Sequence, residues 1–363
     1  MKGIRSCLKE DLPDVAVLHE RAFQYASGLS TAALTTYLEA VFFGNPWYDP
    51  ATPSLLYEED GKIIGFLGVV PRRMLLKARH IRVAVSSQLM VDPTRRSSPA
   101  AFQLQHKFLS GPQELSLTDG ANDLGHKLWE IGGGRTSLLY SMHWTRILRP
   151  AQFAVSELSR RKGLSLLRML KPVSLVLDAA ERLLPQSPLR LECQDPEEDL
   201  TEKTLLECLS DFITRQSLRP AYDEYSLKWL LDMASRKESH GTLHKMVIRT
   251  PQGSIAGWCL YYIKPSGVSQ VLQVWGKNSH IATVLDHVFY HARRRGSIAV
   301  SGRMEPALAE ALWQRRCVFG LPGPWFLYHS RQPDILQAIE SGDAFLTRLE
   351  GEWWMRFHEK TTH

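Results

Sequence analysis

The sequence predicts an α/β (α+β) chain of two successive units, in each of which strands and helices follow one another in similar order. Three observations carry this expectation. Apolar residues that alternate, such as Ile81, Val83 and Val85, give way to segments with apolar residues at helical spacing, such as Val15, Val17, Leu18 and Phe23. At 363 residues the chain is too long for one ordinary core. The order of elements in the first half is nearly repeated in the second.

In the first half a strand is expected over 3–8, and Asp11-Leu12-Pro13 starts a helix. A second helix over 30–43 is entered from Ser30-Thr31. Runs at 54–57 and 63–70 flank Asp60-Gly61, a hairpin turn pair. A long strand over 80–91 leads to a basic turn. Ser98 then reads as N-cap, Pro99 as the first helical residue and Gly111 as the stop. A short strand (Leu115–Thr118), a helix (Asn122–Ile131) and a strand (Thr136–Trp144) complete the unit.

In the second half helices are expected over 201–215 and 224–236, strands over 242–249, 254–263 and 268–275, and a helix over 280–295. A strand at 298–301, a helix at 306–316, a strand at 325–328 and a helix at 332–340 follow. The aromatic-rich tail, 343–354, is expected to close over the edge of this second unit. Trp258, Tyr261 and Tyr262 lie in a strand pattern and read as core, with a stacking groove as the alternative.

Composition excludes several classes. Charged residues make up 23% and the net charge is +6, small for this length. With no zinc-finger spacing or RNA-binding aromatic motif, nucleic acid is not an expected partner. The five cysteines (Cys7, Cys193, Cys208, Cys259, Cys317) are scattered, with no C-x-x-C, which predicts reduced thiols and a cytoplasmic location. No apolar run reaches the roughly 18 residues of a membrane span, and the N-terminus shows no signal core. Residues 151–186 form a basic, leucine-containing connector. It reads as an ordinary packing helix with a solvated face, against a membrane-surface helix.

The candidate chemistry lies at Val91–Ala101. A strand that stops at a basic turn and feeds a helix N-terminus makes an anion site, because the first helical N–H groups have no internal partner. Arg95 and Arg96 add forked donors suited to phosphate. Here the chain resembles the GNAT N-acyltransferase superfamily, whose cofactor loop runs V-x-P-x-x-R-G-x-G-x-G/A. Val91, Pro93, Arg96 and Ala101 match, while Ser97 and Pro99 stand at glycine positions. A second signature, N-x-x-A-x-x-L-Y-E-x-x-G-F, is met at Asn122, Leu128, Glu130 and Gly133, with Trp129 in place of tyrosine.

The resemblance implies two tandem GNAT-like domains, each a mixed, mostly antiparallel central sheet flanked by helices: 1–150 binding acetyl-CoA or another acyl-CoA, then the connector 151–186, then 187–363 without a recognisable CoA loop. It implies transfer of the acyl group to an amine acceptor (small molecule, sugar or peptide) by direct attack. The acceptor is expected between the domains, and no metal is expected. Leu89, Met90 and Val91 would pair with the pantetheine arm, with plain core strand as the alternative. Arg95, Arg96, Ser97, Ser98, Ala100 and Ala101 would hold the pyrophosphate, the serines and Ala100 through backbone N–H groups. Pro99 leaves that cradle one donor short. Asn122 would contact the arm or cap its helix. For catalysis Asp119 is a candidate base. An indole does not titrate in place of the missing tyrosine acid, so either the thiolate leaves unprotonated or His126, Tyr140 or His143 substitutes. Asp119 has a turn role as its alternative. A non-catalytic scaffold on the same frame and a Fem-like aminoacyl transferase are the rival functions. The sequence does not name the acceptor or the oligomeric state.

Overall fold

Most of the first half folds where alternation and helical spacing place it. In the computed structural model, which describes residues 2–23, 29–162, 173–175, 178, 197–277, 279–320 and 324–356, the chain runs β1 (Lys2–Ser6), α1 (Leu12–Phe23), α2 (Thr31–Phe42), β2 (Leu55–Glu59), β3 (Lys62–Leu76), β4 (Arg79–Val91), α3 (Ala100–Leu109), β5 (Leu115–Ala121) and α4 (Asp123–Ile131). Ser30 caps α2 by accepting from Ala33 N at 3.2 Å, and Asn122 caps α4 by accepting from Gly125 N at 2.9 Å. Asp60 and Gly61 both take positive φ (52° and 73°), as a two-residue hairpin turn requires. α3 begins one residue later than expected, with Pro99 as its cap residue.

The expected strand over 136–144 is corrected. Ser137 turns the chain instead: its carbonyl accepts from Ser141 N at 3.1 Å and its Oγ from Tyr140 N at 3.4 Å. One helical turn, α5 (Leu138–Ser141), therefore separates β6 (Arg135–Thr136) from β7 (His143–Ile147). Then follow α6 (Pro150–Lys162), β8 (Glu197–Asp199), α7 (Glu202–Phe212), β9 (Leu218–Pro220), α8 (Glu224–Ser235), β10 (Thr242–Arg249), β11 (Ile255–Ile263), β12 (Val268–Gly276), α9 (Ile281–Arg294), β13 (Ala299–Arg303), α10 (Ala309–Gln314), β14 (Val318–Gly320), β15 (Trp325–His329) and α11 (Pro333–Glu340). The short strands β8, β9 and β14 are too brief to leave a period-two signal.

Among the described residues, one compact unit draws on Met1–Ser141, Ile213–Ala234 and Pro322–His358, and the other on Met142–Phe212 and Ser235–Leu321. The first unit's sheet has the order β1-β2-β3-β4-β5-β15-β6, with β9 on the free end of β3. Its one parallel pair is β4–β5. The second unit's sheet has the order β14-β7-β13-β12-β11-β10-β8, with β12–β13 its one parallel pair. Two elements thus sit elsewhere than the linear order implied. β15, from the second half of the chain, joins β5 and β6, and β7, from the first half, lies between β14 and β13. The contiguous limits at 150 and 187 do not coincide with these units, and most of the basic connector lies outside the described residues.

In the first unit Leu104 and Phe108 of α3 and Trp129 of α4 pack in one core with Tyr57, Leu67 and Ala84 of the sheet. In the second, Val284, Val288 and Phe289 of α9 pack on Met246, Cys259, Tyr261 and Val274. Trp258, Tyr261 and Tyr262 are buried there, which makes them core. Cys7, Cys208, Cys259 and Cys317 are buried free thiols; Cys193 lies outside the described residues. No helix among the described residues is long and apolar enough to cross a membrane.

The tail is also corrected. It belongs to the first unit, where Phe345 N donates to Leu218 O at 2.7 Å and Met355 O accepts from the Tyr37 hydroxyl at 2.9 Å.

Candidate active site

β4 and β5 pair in parallel at Val83, Ala84 and Val85 against Leu115, Ser116 and Leu117, and no further. Beyond that point each strand follows its outer neighbour, β3 for one and β15 for the other. The sheet splits into a wedge between 88–91 and 118–121. A bulge starts the split: Phe66 to Gly68 on β3 faces Met90 to Ser87 on β4, so β4 carries one residue more. Gln88 takes the left-handed conformation there (φ 55°), which is costly for a residue with a Cβ.

The wedge opens into a cavity of about 320 Å³. Leu89, Met90 and Val91 line it from β4, Ala101 and Gln105 from α3, and Asn122, Leu124 and Leu128 from α4 and its cap. Arg96 stands at its rim and is exposed. Two buried amides reach it with unmet hydrogen-bonding capacity: both polar atoms of Gln88 and Nε2 of Gln105 have no partner. Buried polar atoms without partners are costly, so a cavity that collects them has the character of a ligand site.

The turn between β4 and α3 is held from below. Asp92 accepts from Thr94 N at 2.9 Å and Thr94 Oγ1 at 2.7 Å, and Arg21 approaches its other oxygen at 3.5 Å. The Thr94 hydrogen bonds hold its carboxyl below the ordinary aspartate value. Arg95 and Ser97 are exposed and do not line the cavity. Ser98 N donates to the Arg95 carbonyl at 2.9 Å, and Ala100 N to Ser98 Oγ at 3.4 Å. Two of the expected backbone donors are therefore engaged within the turn. Asn122 both caps α4 and lines the cavity.

Asp119, Tyr140 and His126 do not line the cavity. Asp119 is buried, and its Oδ1 accepts from Glu352 N at 2.6 Å and Trp353 N at 2.9 Å, anchoring the tail. The Tyr140 hydroxyl donates to Ala344 O at 2.8 Å. His126 stacks on Trp325 with ring centroids 4.5 Å apart and meets Thr136 Oγ1 at 2.7 Å.

Sequence reasoning missed Glu352. The tail carries this carboxylate to the closed end of the wedge, where Oε1 accepts from Thr118 Oγ1 at 2.5 Å and Oε2 from Gln88 N at 3.3 Å. It bridges the two strands where their own pairing stops. Burial pushes its carboxyl above the ordinary glutamate range and Asp119 adds to this, while Arg356 and the Thr118 hydroxyl oppose it. Arg356, from the same tail, donates to the Gly120 carbonyl. The available signal was an acid, Glu352, directly before the paired aromatics Trp353-Trp354.

No protein-family model matches the chain, and no curated protein does. Solved structures do match in fold. One is a conserved protein of Enterococcus faecalis V583 titled a probable N-acyltransferase (TM-score 0.60, 11% identity, covering 93% of this chain and 74% of that one). Another is a GCN5-related N-acetyltransferase from Anabaena variabilis ATCC 29413 (TM-score 0.57, 13% identity, 90% and 72%). A third is the N-myristoyltransferase of Saccharomyces cerevisiae with bound myristoyl-CoA and inhibitors (TM-score 0.52, 12% identity, 92% and 83%). At these identities the likeness is one of fold, and in fold the chain is a tandem GNAT-like protein.

Proposed function

We propose that the chain is an acyl-CoA-dependent N-acyltransferase that transfers an acetyl or other acyl group to an amine acceptor by direct attack. The observation that carries this reading is the wedge between β4 and β5. Strand edges freed by a bulge, at the bottom of a cavity with unpartnered buried amides, suit an extended arm that carries its own amides. Leu89, Met90 and Val91 would border the arm, with Asn122 beside it. Arg96 at the rim, with Arg95 on the same exposed turn, would meet the phosphates. Ala101, at the start of α3, leaves room for the backbone to approach them. The fold neighbours support the acyl-transfer class.

The reading assigns one acyl-CoA site per chain, in the first unit. At the corresponding exit from β12, Gly276-Lys277 offers a single basic residue and no paired arginines.

Calorimetry with acetyl-CoA on the full chain tests it. One site is expected, with thermal protection of about 2.7 kcal/mol at a hundredfold excess over Kd. Absence of both heat and protection would leave the scaffold alternative in possession. Two sites of comparable affinity would refute the single-site assignment.

A further inference from the structure

We infer that Glu352 is the general base of the transfer, delivered to the wedge by the C-terminal tail. This rests on the acyl-transfer reading. Among the described residues that line the cavity, the ionisable side chains are Arg96, Arg356 and Glu352. A guanidinium does not give up its proton in a protein, so Glu352 is the one lining group able to accept one. It is placed for the task. Its two oxygens are fixed from both strands, by Gln88 N and Thr118 Oγ1, at the bulge where the split begins. Burial and the neighbouring Asp119 strengthen it as a base, and Arg356 keeps the ionised form within reach.

The step balances without a further reagent. The acceptor's ammonium gives one proton to the Glu352 carboxylate. The free amine attacks the thioester carbon, forming the C–N bond while the carbonyl electrons move to oxygen. Those electrons return as the C–S bond breaks, the second amine proton goes to the departing thiolate, and Glu352 returns its proton to solvent.

The competing role is a prop that merely spans the split. Glu352→Gln separates the two. An amide keeps both bridging bonds, since its oxygen accepts from Gln88 N and its NH2 donates to Thr118 Oγ1, but it accepts no proton. The readouts are acetyl-CoA affinity by calorimetry and thiol release with a panel of primary amines (amino acids, polyamines, amino sugars), together with hydroxylamine, which is already unprotonated at neutral pH. The base role predicts unchanged acetyl-CoA affinity. It also predicts a fall in kcat of about a hundredfold or more with ammonium acceptors at neutral pH. That deficit should shrink as pH approaches the acceptor's own pKa, near 10 for an alkylamine. Hydroxylamine should be spared, and Glu352→Asp should restore part of the rate with an ascending pH limb.

A kcat within about threefold of wild type, with the wild-type pH limb, would overturn the base and leave acyl transfer standing. So would lost acetyl-CoA affinity with kcat intact. A wild-type chain that binds acetyl-CoA and turns over none of these amines would overturn acyl transfer itself, and the base with it.

Discussion

The indole N–H of Trp129 donates to the carbonyl of Tyr328 at 3.2 Å, tying α4 to β15. Trp129 occupies the position where the resemblance expects a tyrosine acid. Its one polar atom serves the fold, and Gly134 lies so close that a Cβ there would stand 1.7 Å from the indole ring. Trp129→Phe should therefore act on stability rather than chemistry. A loss of about 1–3 kcal/mol is expected for the buried hydrogen bond removed, read from urea unfolding. Turnover per folded molecule should stay within about threefold. A hundredfold loss in kcat with stability unchanged would contradict this.

Gly351 is the point at which the tail passes over Asp119. A Cβ at 351 would stand 2.2 Å from the Asp119 carboxylate, which holds the Glu352 and Trp353 N–H groups. Gly351→Ala should force that carboxylate off its donors and cost about 1–3 kcal/mol, as overpacking does. Asp119→Asn keeps an acceptor oxygen but loses its charge, so about 1 kcal/mol is expected. Denaturant midpoints measure both. Wild-type stability in Gly351→Ala would show that the tail is not docked on Asp119.

The legible parts of the sequence were those fixed by near neighbours. The hairpin at Asp60-Gly61, the caps at Ser30 and Asn122, and the run from β4 through the turn into α3 depend on contacts a few residues apart. The tandem architecture followed from their order. What escaped depends on partners far along the chain. β15 reads as a strand anywhere, and only its pairing with Ser116–Thr118 and Ala121 of β5 shows which sheet it completes. Asp119 and Tyr140 were sensible candidates by type. Their oxygens bind the tail's Glu352, Trp353 and Ala344, more than 200 positions away, and no local pattern encodes that. Glu352 was hidden for the same reason.

Acid should loosen the turn below the cavity. The Asp92 carboxyl titrates below its ordinary 3.8 because Thr94 and Arg21 hold the ionised form. A depressed carboxyl contributes stability that is present above its unfolded value and lost as pH falls through the lower folded value. Wild type should therefore lose stability as pH drops below about 3.8, and Asp92→Asn, already without the charge, should lose less over the same window. The comparison is of unfolding free energies across pH 5 to pH 2, on the order of the usual acid range. Parallel curves for the two proteins would sink the assignment.

The two arginines of the turn should not behave alike. Both are exposed, but Arg96 lines the cavity and Arg95 does not. If the turn meets the phosphates of an acyl-CoA, Arg96→Ala removes a charged hydrogen bond at the rim. Partial solvation puts the cost near the low end for such bonds, about 1.5 kcal/mol, or roughly tenfold in Kd. Arg95→Ala removes only a more distant charge, and a change within about 0.5 kcal/mol is expected. Because both sites face water, salt should weaken wild-type binding and narrow the gap between wild type and Arg96→Ala. Acetyl-CoA calorimetry at two ionic strengths reads all three effects. If Arg95→Ala weakened binding as much as Arg96→Ala, the phosphates would lie over the outer side of the turn. If neither did, the turn would hold no phosphate, and the cavity would need another ligand to match its unpartnered amides.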